Sequence, residues 1–143
     1  MQQRTWIAGV VGGRHFTDYK YMTEKLKLWQ KQHGRIVKIV SGGAPGADTL
    51  AKDYSLEYLK KEPQVFNAKW GNGGRAGPIR NKLIVEASQV IIAFPDPESN
   101  GTWSTVSIAK KKNVPVYIYR SWIDPPQIRV VPQIRLKVVP MFS

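Results

Sequence analysis

Short apolar segments alternate along this chain with longer amphipathic segments, and this alternation constrains the fold more than any other feature. The apolar segments read TWIAGVV (5–11), RIVKIV (35–40), PQVFNAKW (63–70), QVIIAFP (89–95) and VPVYIYR (114–120). Most of them are rich in β-branched residues, as buried strands are. Strands that alternate with helices form a parallel sheet covered on both faces. We therefore predict a three-layer α/β domain with a mostly parallel sheet of about five strands.

The amphipathic segments carry residues that are typical of helix ends. Thr17 and Asp18 can cap a first helix, and Gly34 can end it. Pro78 suits the first turn of a later helix, because proline needs no hydrogen-bond donor there. We predict helices over residues 18–33, 47–61, 77–87 and 102–113.

The last part of the chain differs in composition from the rest. The chain has 143 residues, which suits one compact domain, and we assign residues 1–120 to it. Residues 121–143 are rich in proline and contain PQIR twice. Proline at this density excludes a helix or a central strand. We predict an extended C-terminal arm, which either forms an edge strand or lies on a neighbouring subunit.

Charge and cysteine content narrow the function classes. The formal net charge is +12, which favours anionic partners such as nucleotides or nucleic acid, or else reflects a solubilising surface. The chain has no cysteine, which excludes disulfides and thiolate chemistry, and it has no cluster with metal-ligand spacing. The first apolar run is too short to cross a membrane. We expect a soluble cytoplasmic protein that binds no membrane, metal or cofactor.

Glycines are concentrated where predicted strands end or helices begin. The carboxyl ends of parallel strands meet at one edge, where ligands bind. Glycine lets a backbone N–H approach an anion closely, and a helix N-terminus adds a partial positive charge. These loops predict a phosphate-binding crevice, unless the glycines merely end the strands. The candidate ligand-binding glycines are Gly12, Gly13, Gly42, Gly43, Gly46, Gly77 and Gly101, and the loop before the third helix also contains Gly73 and Gly74.

Familiar phosphate motifs are absent from these loops. GGAPGADT lacks the Lys-Ser/Thr pair of a Walker loop, and GVVGGR does not fit G-x-G-x-x-G. Polar neighbours of the glycines complete the candidate ligand-binding set, namely Arg14, Ser41, Asp48, Arg80, Asn81 and Thr102.

Most of these polar residues have a functional and a structural interpretation. Arg80 can hold a phosphate as a bidentate fork or be a surface arginine, and Arg14 can reach the same anion. Asn81 can bond a ribose or base, or act as a local cap. Asp48 can cap its helix, bind a ribose hydroxyl or act as a general base.

Two tryptophans flank the glycine-bearing segments. Trp70 and Trp103 can each stack on a base or belong to the core. Glu98 precedes Gly101 and is a further candidate carboxylate near the crevice.

Four segments together resemble the YspA-like branch of the SLOG superfamily. They read VVGGRHFTD (10–18), IVSGGAPGADTLAKDYS (39–55), AGPIRNKLIVEASQVIIAFP (76–95) and NGTWSTVSIAKKKNVPV (100–116). That superfamily also contains the Smf/DprA DNA-binding proteins and the LOG nucleotide phosphoribohydrolases. The resemblance implies a Rossmann-like sheet, a pocket for a nucleotide or nucleotide-derived ligand, and a homo-oligomer.

The LOG motifs match this chain only in part. By that resemblance, the LOG arginine corresponds to Arg80, and the Gly-Thr pair corresponds to Gly101 and Thr102. The LOG glutamate, which helps to cleave the N-glycosidic bond, corresponds to Thr105. Thr105 cannot hold a negative charge against an oxocarbenium ion, so the resemblance favours phosphate binding over hydrolysis.

Three functions remain open from the sequence, and it names neither the ligand nor any catalytic residue. The leading one is a sensor or sequestering protein that binds a nucleotide-derived signalling ligand without turnover. The second is a nucleoside-phosphate N-glycosidic hydrolase, in which Asp48 or Glu98 would supply the carboxylate. The third is single-stranded nucleic-acid binding, as in the Smf/DprA proteins.

Overall fold

The computed structural model describes residues 4–122, which form a five-stranded sheet with helices on both faces. The strands are β1 (Thr5–Gly12), β2 (Arg35–Gly42), β3 (Gln64–Phe66), β4 (Val90–Phe94) and β5 (Val116–Ile118). Every neighbouring pair is parallel, in the order β3-β2-β1-β4-β5. The predicted α/β fold class with a parallel five-stranded sheet is therefore confirmed. The predicted arm, residues 121–143, lies outside the described residues except for its first two.

Four α-helices connect or follow the strands, namely α1 (Tyr19–His33), α2 (Ala47–Tyr54), α3 (Ala76–Glu86) and α4 (Gly101–Lys111). Asp18 caps α1 as predicted, since its carboxylate accepts from the Tyr21 N–H at 3.0 Å. Gly34 ends the same helix, with its N–H bonded to the Gln30 carbonyl at 2.9 Å.

The second helix departs from the prediction of one helix over residues 47–61. It changes at Ser55 to a π-helical segment, Ser55–Leu59, and the helical chain ends at Lys60 with a left-handed φ of 60°. The Ser55 hydroxyl donates to the Lys61 carbonyl at 2.7 Å and so ties the start of this segment to the residue after its cap.

The sheet separates two hydrophobic layers. On one face, α1 and α2 cover the sheet with a core that contains Leu26, Trp29 and Phe94. On the other face, α3 and α4 supply Ile84 and Val106. Both faces of β4 are buried, which explains its continuous apolar sequence. Full burial of each such side chain stabilises the fold by roughly 1.5–3 kcal/mol.

The strand order creates a crevice between the carboxyl ends of β1 and β4. The chain runs outward from β1 to β3 and then returns to β4 on the other side of β1. At such a switch point the flanking loops diverge and leave space for a ligand. Backbone hydrogen bonds of 3.0 Å fix the loops beside it, from the Gly13 N–H to the Phe94 carbonyl and from the Ala47 N–H to the Gly13 carbonyl.

Candidate functional site

A pocket of about 590 Å³ opens at this crevice. That volume suits a small ligand, since ligand pockets measure roughly 300–1,000 Å³. The loops after β1, β2 and β4 line it together with the first turns of α3 and α4. Predicted site residues in its wall are Gly12, Gly13, Arg14, Gly43, Asp48, Gly77, Arg80, Asn81, Gly101 and Thr102. The structure thus brings these residues together, whereas their binding of a ligand stays a prediction.

Three predicted site residues lie behind the pocket wall. Ser41 is fully buried, and its hydroxyl donates to the Val10 carbonyl at 2.9 Å and to Asp48 Oδ1 at 3.1 Å. Gly42 leaves room for two pocket side chains, because a Cβ there would lie 2.5 Å from Arg80 Nη1 and 2.8 Å from Asp48 Oδ2. Both residues therefore support the site from behind.

Gly46 is the third residue behind the wall, and it holds two loops together. Its φ of +80° is a conformation that favours glycine. A side chain there would also collide with the carbonyl oxygens of Gly13 and Arg14. The glycine at this position is thus required by the contact between loops and not by a ligand.

Asp48 occupies the N-terminal end of α2 with its own carboxylate. Its oxygens accept hydrogen bonds from the Ala44 N–H and the Ser41 hydroxyl, each at 3.1 Å. Burial raises the pKa of Asp48, while these hydrogen bonds and the nearby charge of Arg80 act in the opposite direction. The sequence predicts that this loop binds a phosphate, but the Ala44 amide already donates to the Asp48 carboxyl.

Asp96 is a site residue that the sequence analysis missed. It is only 7% exposed, and its Oδ2 accepts from the His15 N–H at 3.0 Å while its Oδ1 accepts from the Glu98 N–H at 2.7 Å. The carboxylate therefore ties the loop after β4 to the loop after β1. An acidic residue two positions after a strongly apolar strand is the signal that could have found it.

The N-terminus of α4 lies at the pocket and has no side-chain cap. Asn100 precedes the helix without making a side-chain capping hydrogen bond. Thr102 is 3% exposed and lines the pocket, yet its hydroxyl has no hydrogen-bond partner among the described residues. A helix N-terminus carries about half a positive charge. This end therefore combines a partial charge with an unused polar group.

Arg80 lies beside this helix end. Its Nε donates to Asn81 Oδ1 at 2.8 Å, and the Asn81 amide contacts the Gly101 carbonyl at 3.5 Å. Within residues 4–122, Arg80 forms no ion pair with Asp48. Its Nη1 lies against Gly42 near the Asp48 carboxyl, and neither terminal nitrogen makes a hydrogen bond within residues 4–122.

Four further candidates have different surroundings. Thr105, at the position of the LOG glutamate, is buried and donates to the Gly101 carbonyl at 3.3 Å. Glu98 is exposed at the pocket, and its carboxylate lies 3.6 Å from His15 Nε2. Trp103 packs against the core and does not line the pocket, whereas Trp70 does.

Two negative findings apply to the described part of the chain. None of its helices has the length and apolar character that a membrane crossing requires. No group of three or more His, Asp or Glu side chains in residues 4–122 is arranged to hold a metal ion.

The fold is similar to that of DNA processing protein A from Helicobacter pylori, which binds single-stranded DNA. The two share 22% sequence identity with a TM-score of 0.57, over 78% of this chain and 64% of that chain. At this identity the likeness establishes the fold, as the Smf/DprA resemblance implied, while membership of the YspA-like branch stays a prediction. No protein-family model matches the sequence, and no curated protein matches it significantly.

Proposed function

We propose that the pocket binds the phosphate of a nucleotide or nucleotide-derived ligand at the N-terminus of α4, without turnover. The observation that carries this proposal is Thr102, a buried residue of the pocket wall whose hydroxyl lacks a hydrogen-bond partner among residues 4–122. A buried polar group without a partner costs about 1–3 kcal/mol. A phosphate oxygen would accept its hydrogen bond, and Arg80 would neutralise the charge.

The charges of the pocket favour one phosphate over a polyphosphate. Its wall contains the arginines Arg14 and Arg80 against the carboxylates of Asp48, Asp96 and Glu98. Among residues 4–122, the excess of positive charge therefore lies outside the pocket. A di- or triphosphate would bring several negative charges close to three carboxylates, whereas a single phosphate is matched by Arg80 and the helix end.

Binding without turnover agrees with the surroundings of the candidate carboxylates. Thr105 offers no carboxylate at the LOG glutamate position. Asp48 is engaged with Ser41 and Ala44, and Glu98 pairs with His15 at the exposed rim. Hydrolysis therefore has less structural support than binding.

Single-stranded DNA is a second candidate ligand, because the structural neighbour binds it. A phosphodiester would place one phosphate at α4, and the positive charge outside the pocket would contact others. If single-stranded DNA is the ligand, its affinity should fall steeply as the salt concentration rises. Each neutralised phosphate of a single strand steepens the slope of log affinity against log salt by about 0.7.

Isothermal titration with adenosine 5′-monophosphate and with adenosine tests the phosphate site. We expect the monophosphate to bind more tightly than adenosine. Arg80→Gln should weaken monophosphate binding roughly 10- to 150-fold, since a hydrogen bond to a charged group contributes about 1.5–3 kcal/mol. Thr102→Val should weaken monophosphate binding while leaving the fold at least as stable. Arg75→Gln is the matched control, because Arg75 is exposed and does not line the pocket.

The outcomes separate the candidates. Equal binding of adenosine and its monophosphate, or an effect of Arg75→Gln equal to that of Arg80→Gln, would contradict the phosphate site. Release of free adenine during incubation would instead establish the hydrolase. A short oligodeoxyadenylate that binds more tightly than the mononucleotide and loses affinity steeply with salt would identify single-stranded DNA as the ligand.

A further inference from the structure

Trp70 is a large aromatic side chain that the fold leaves exposed at the pocket. It is 64% exposed and begins a 3₁₀-helical segment, Trp70–Arg75, that leads into α3. A Cβ at Gly71 or Gly74 would have no heavy atom within 4 Å, so the chain that follows the ring leaves open space around it. The indole therefore lies mostly outside the core and at the edge of the pocket.

Three other tryptophans of residues 4–122 have partners within the protein, and Trp122, which is 45% exposed, does not line the pocket. Trp6 and Trp29 meet edge to face with ring centroids 5.3 Å apart. The Arg120 guanidinium lies 5.2 Å from the centroid of Trp103. Over residues 4–122, neither an aromatic ring nor a cation is stacked on Trp70. A face of this indole is therefore available to a planar ligand group.

Trp70 and Arg80 both line the pocket near the start of α3. The indole lies against Gly77, since a Cβ there would be 3.4 Å from the ring edge. Gly77 and Arg80 are three residues apart on α3 and share one face of the helix. Their backbone positions lie roughly 4.5 Å apart along the helix axis, and the Arg80 side chain extends from there toward Gly42. In a nucleotide, the base and the phosphate lie on different sides of one sugar.

We propose that Trp70 is the base-stacking surface of this pocket, so that the site recognises a purine or pyrimidine joined to a phosphate. This inference rests on the proposed phosphate site. Stacking on an aromatic side chain contributes about 1–3 kcal/mol per base. Purines have the larger ring system and should bind more tightly than pyrimidines. The base can come from a free nucleotide or from single-stranded DNA, because the stacking chemistry is the same.

The test compares adenosine 5′-monophosphate with ribose 5-phosphate, which has no base, in the full chain. We expect Trp70→Leu to weaken the nucleotide by roughly 5- to 150-fold and to leave ribose 5-phosphate unchanged. A base stacked on Trp70 should quench the fluorescence of its indole. Trp70→Phe should retain most of the nucleotide affinity but lose this quenching. Leu83→Ala is the control, because Leu83 is exposed on α3 but does not line the pocket. Urea unfolding verifies that each variant is folded.

Each outcome decides the inference. Equal affinity of the wild type for the two phosphates would overturn the stacking role and leave the phosphate site intact. Failure of both to bind would overturn the phosphate site and the inference with it. A Trp70→Leu variant that binds the nucleotide normally but has a lower mass in light scattering would make Trp70 a subunit contact instead. A short oligodeoxyadenylate distinguishes the source of the base. If the ligand is single-stranded DNA, the oligonucleotide should bind more tightly than the mononucleotide, and Trp70→Leu should lower both affinities by a similar factor.

Discussion

The glycines after β1 and β2 and the glycines before α3 are similar in sequence but have opposite surroundings. A Cβ at Gly12 would collide with the Phe94 carbonyl, and a Cβ at Gly46 with the Gly13 carbonyl. At Gly71 and Gly74, by contrast, no heavy atom lies within 4 Å of that position. Glycine thus serves close packing between loops in the first group and borders an open surface in the second. A glycine-rich loop therefore does not by itself indicate an anion site.

The largest effect should follow from a side chain in the packed group. Gly46→Ala should lower the free energy of unfolding by about 3 kcal/mol or more, because it combines a strained positive φ with collisions against two carbonyl oxygens. Urea denaturation measures this loss. An unchanged denaturation midpoint would show that the two loops can move apart with little loss of stability. The packed and open glycines would then not differ as proposed.

A pH-dependent effect should come from Asp48, which lies among the packed loops. Burial raises the pKa of this carboxyl in the folded protein, so its contribution to stability is fully present below the unfolded-state pKa of about 4 and is lost as the pH rises through the folded-state pKa. Asp48→Asn cannot ionise. Between about pH 4 and pH 7, the free energy of unfolding of this variant should therefore fall less than that of the wild type.

The Asp48 prediction needs a control that separates the pH dependence of the free energy of unfolding from its overall size. Loss of a hydrogen-bond acceptor shifts the whole curve of Asp48→Asn, but only loss of the ionisation changes its slope. Asp53→Asn removes an exposed carboxylate from the same helix and is the matched variant. Urea unfolding at a series of pH values gives both curves. Parallel curves for wild type and Asp48→Asn would contradict the prediction.

The smallest effect should come from the open group. Gly74→Ala should change the free energy of unfolding by no more than about 0.5 kcal/mol, because its Cβ meets no other atom. Thermal unfolding compared with that of Gly46→Ala sharpens the contrast directly. A loss as large as that of Gly46→Ala would mean that the open group is also packed.

Much of the fold could be predicted because it depends on local patterns. Alternation of apolar and amphipathic segments located all five strands, and Asp18 and Gly34 marked the ends of α1. The early end of α2 could not be predicted, since residues 55–59 contain neither proline nor glycine. Their π-helical turn depends instead on contacts made by the folded chain, including that between Ser55 and Lys61.

The site could be located from the sequence but its internal bonding could not. Parallel strands bring their carboxyl ends to one edge, which is why Arg80 and Thr102 were expected beside the same crevice. That Ser41 and Gly42 support Asp48 from behind depends on side-chain packing at close range. The free hydroxyl of Thr102 likewise becomes visible only when its neighbours are placed.

The internal carboxylates of Asp48 and Asp96 have a consequence for the energetics of association. They hold the loops after β1, β2 and β4 in position before any ligand arrives. A ligand that enters a preorganised pocket loses less affinity to the ordering of flexible chain. The few contacts at α4 and Arg80 would then retain most of their intrinsic strength, and a small molecule could be held without closure of a lid.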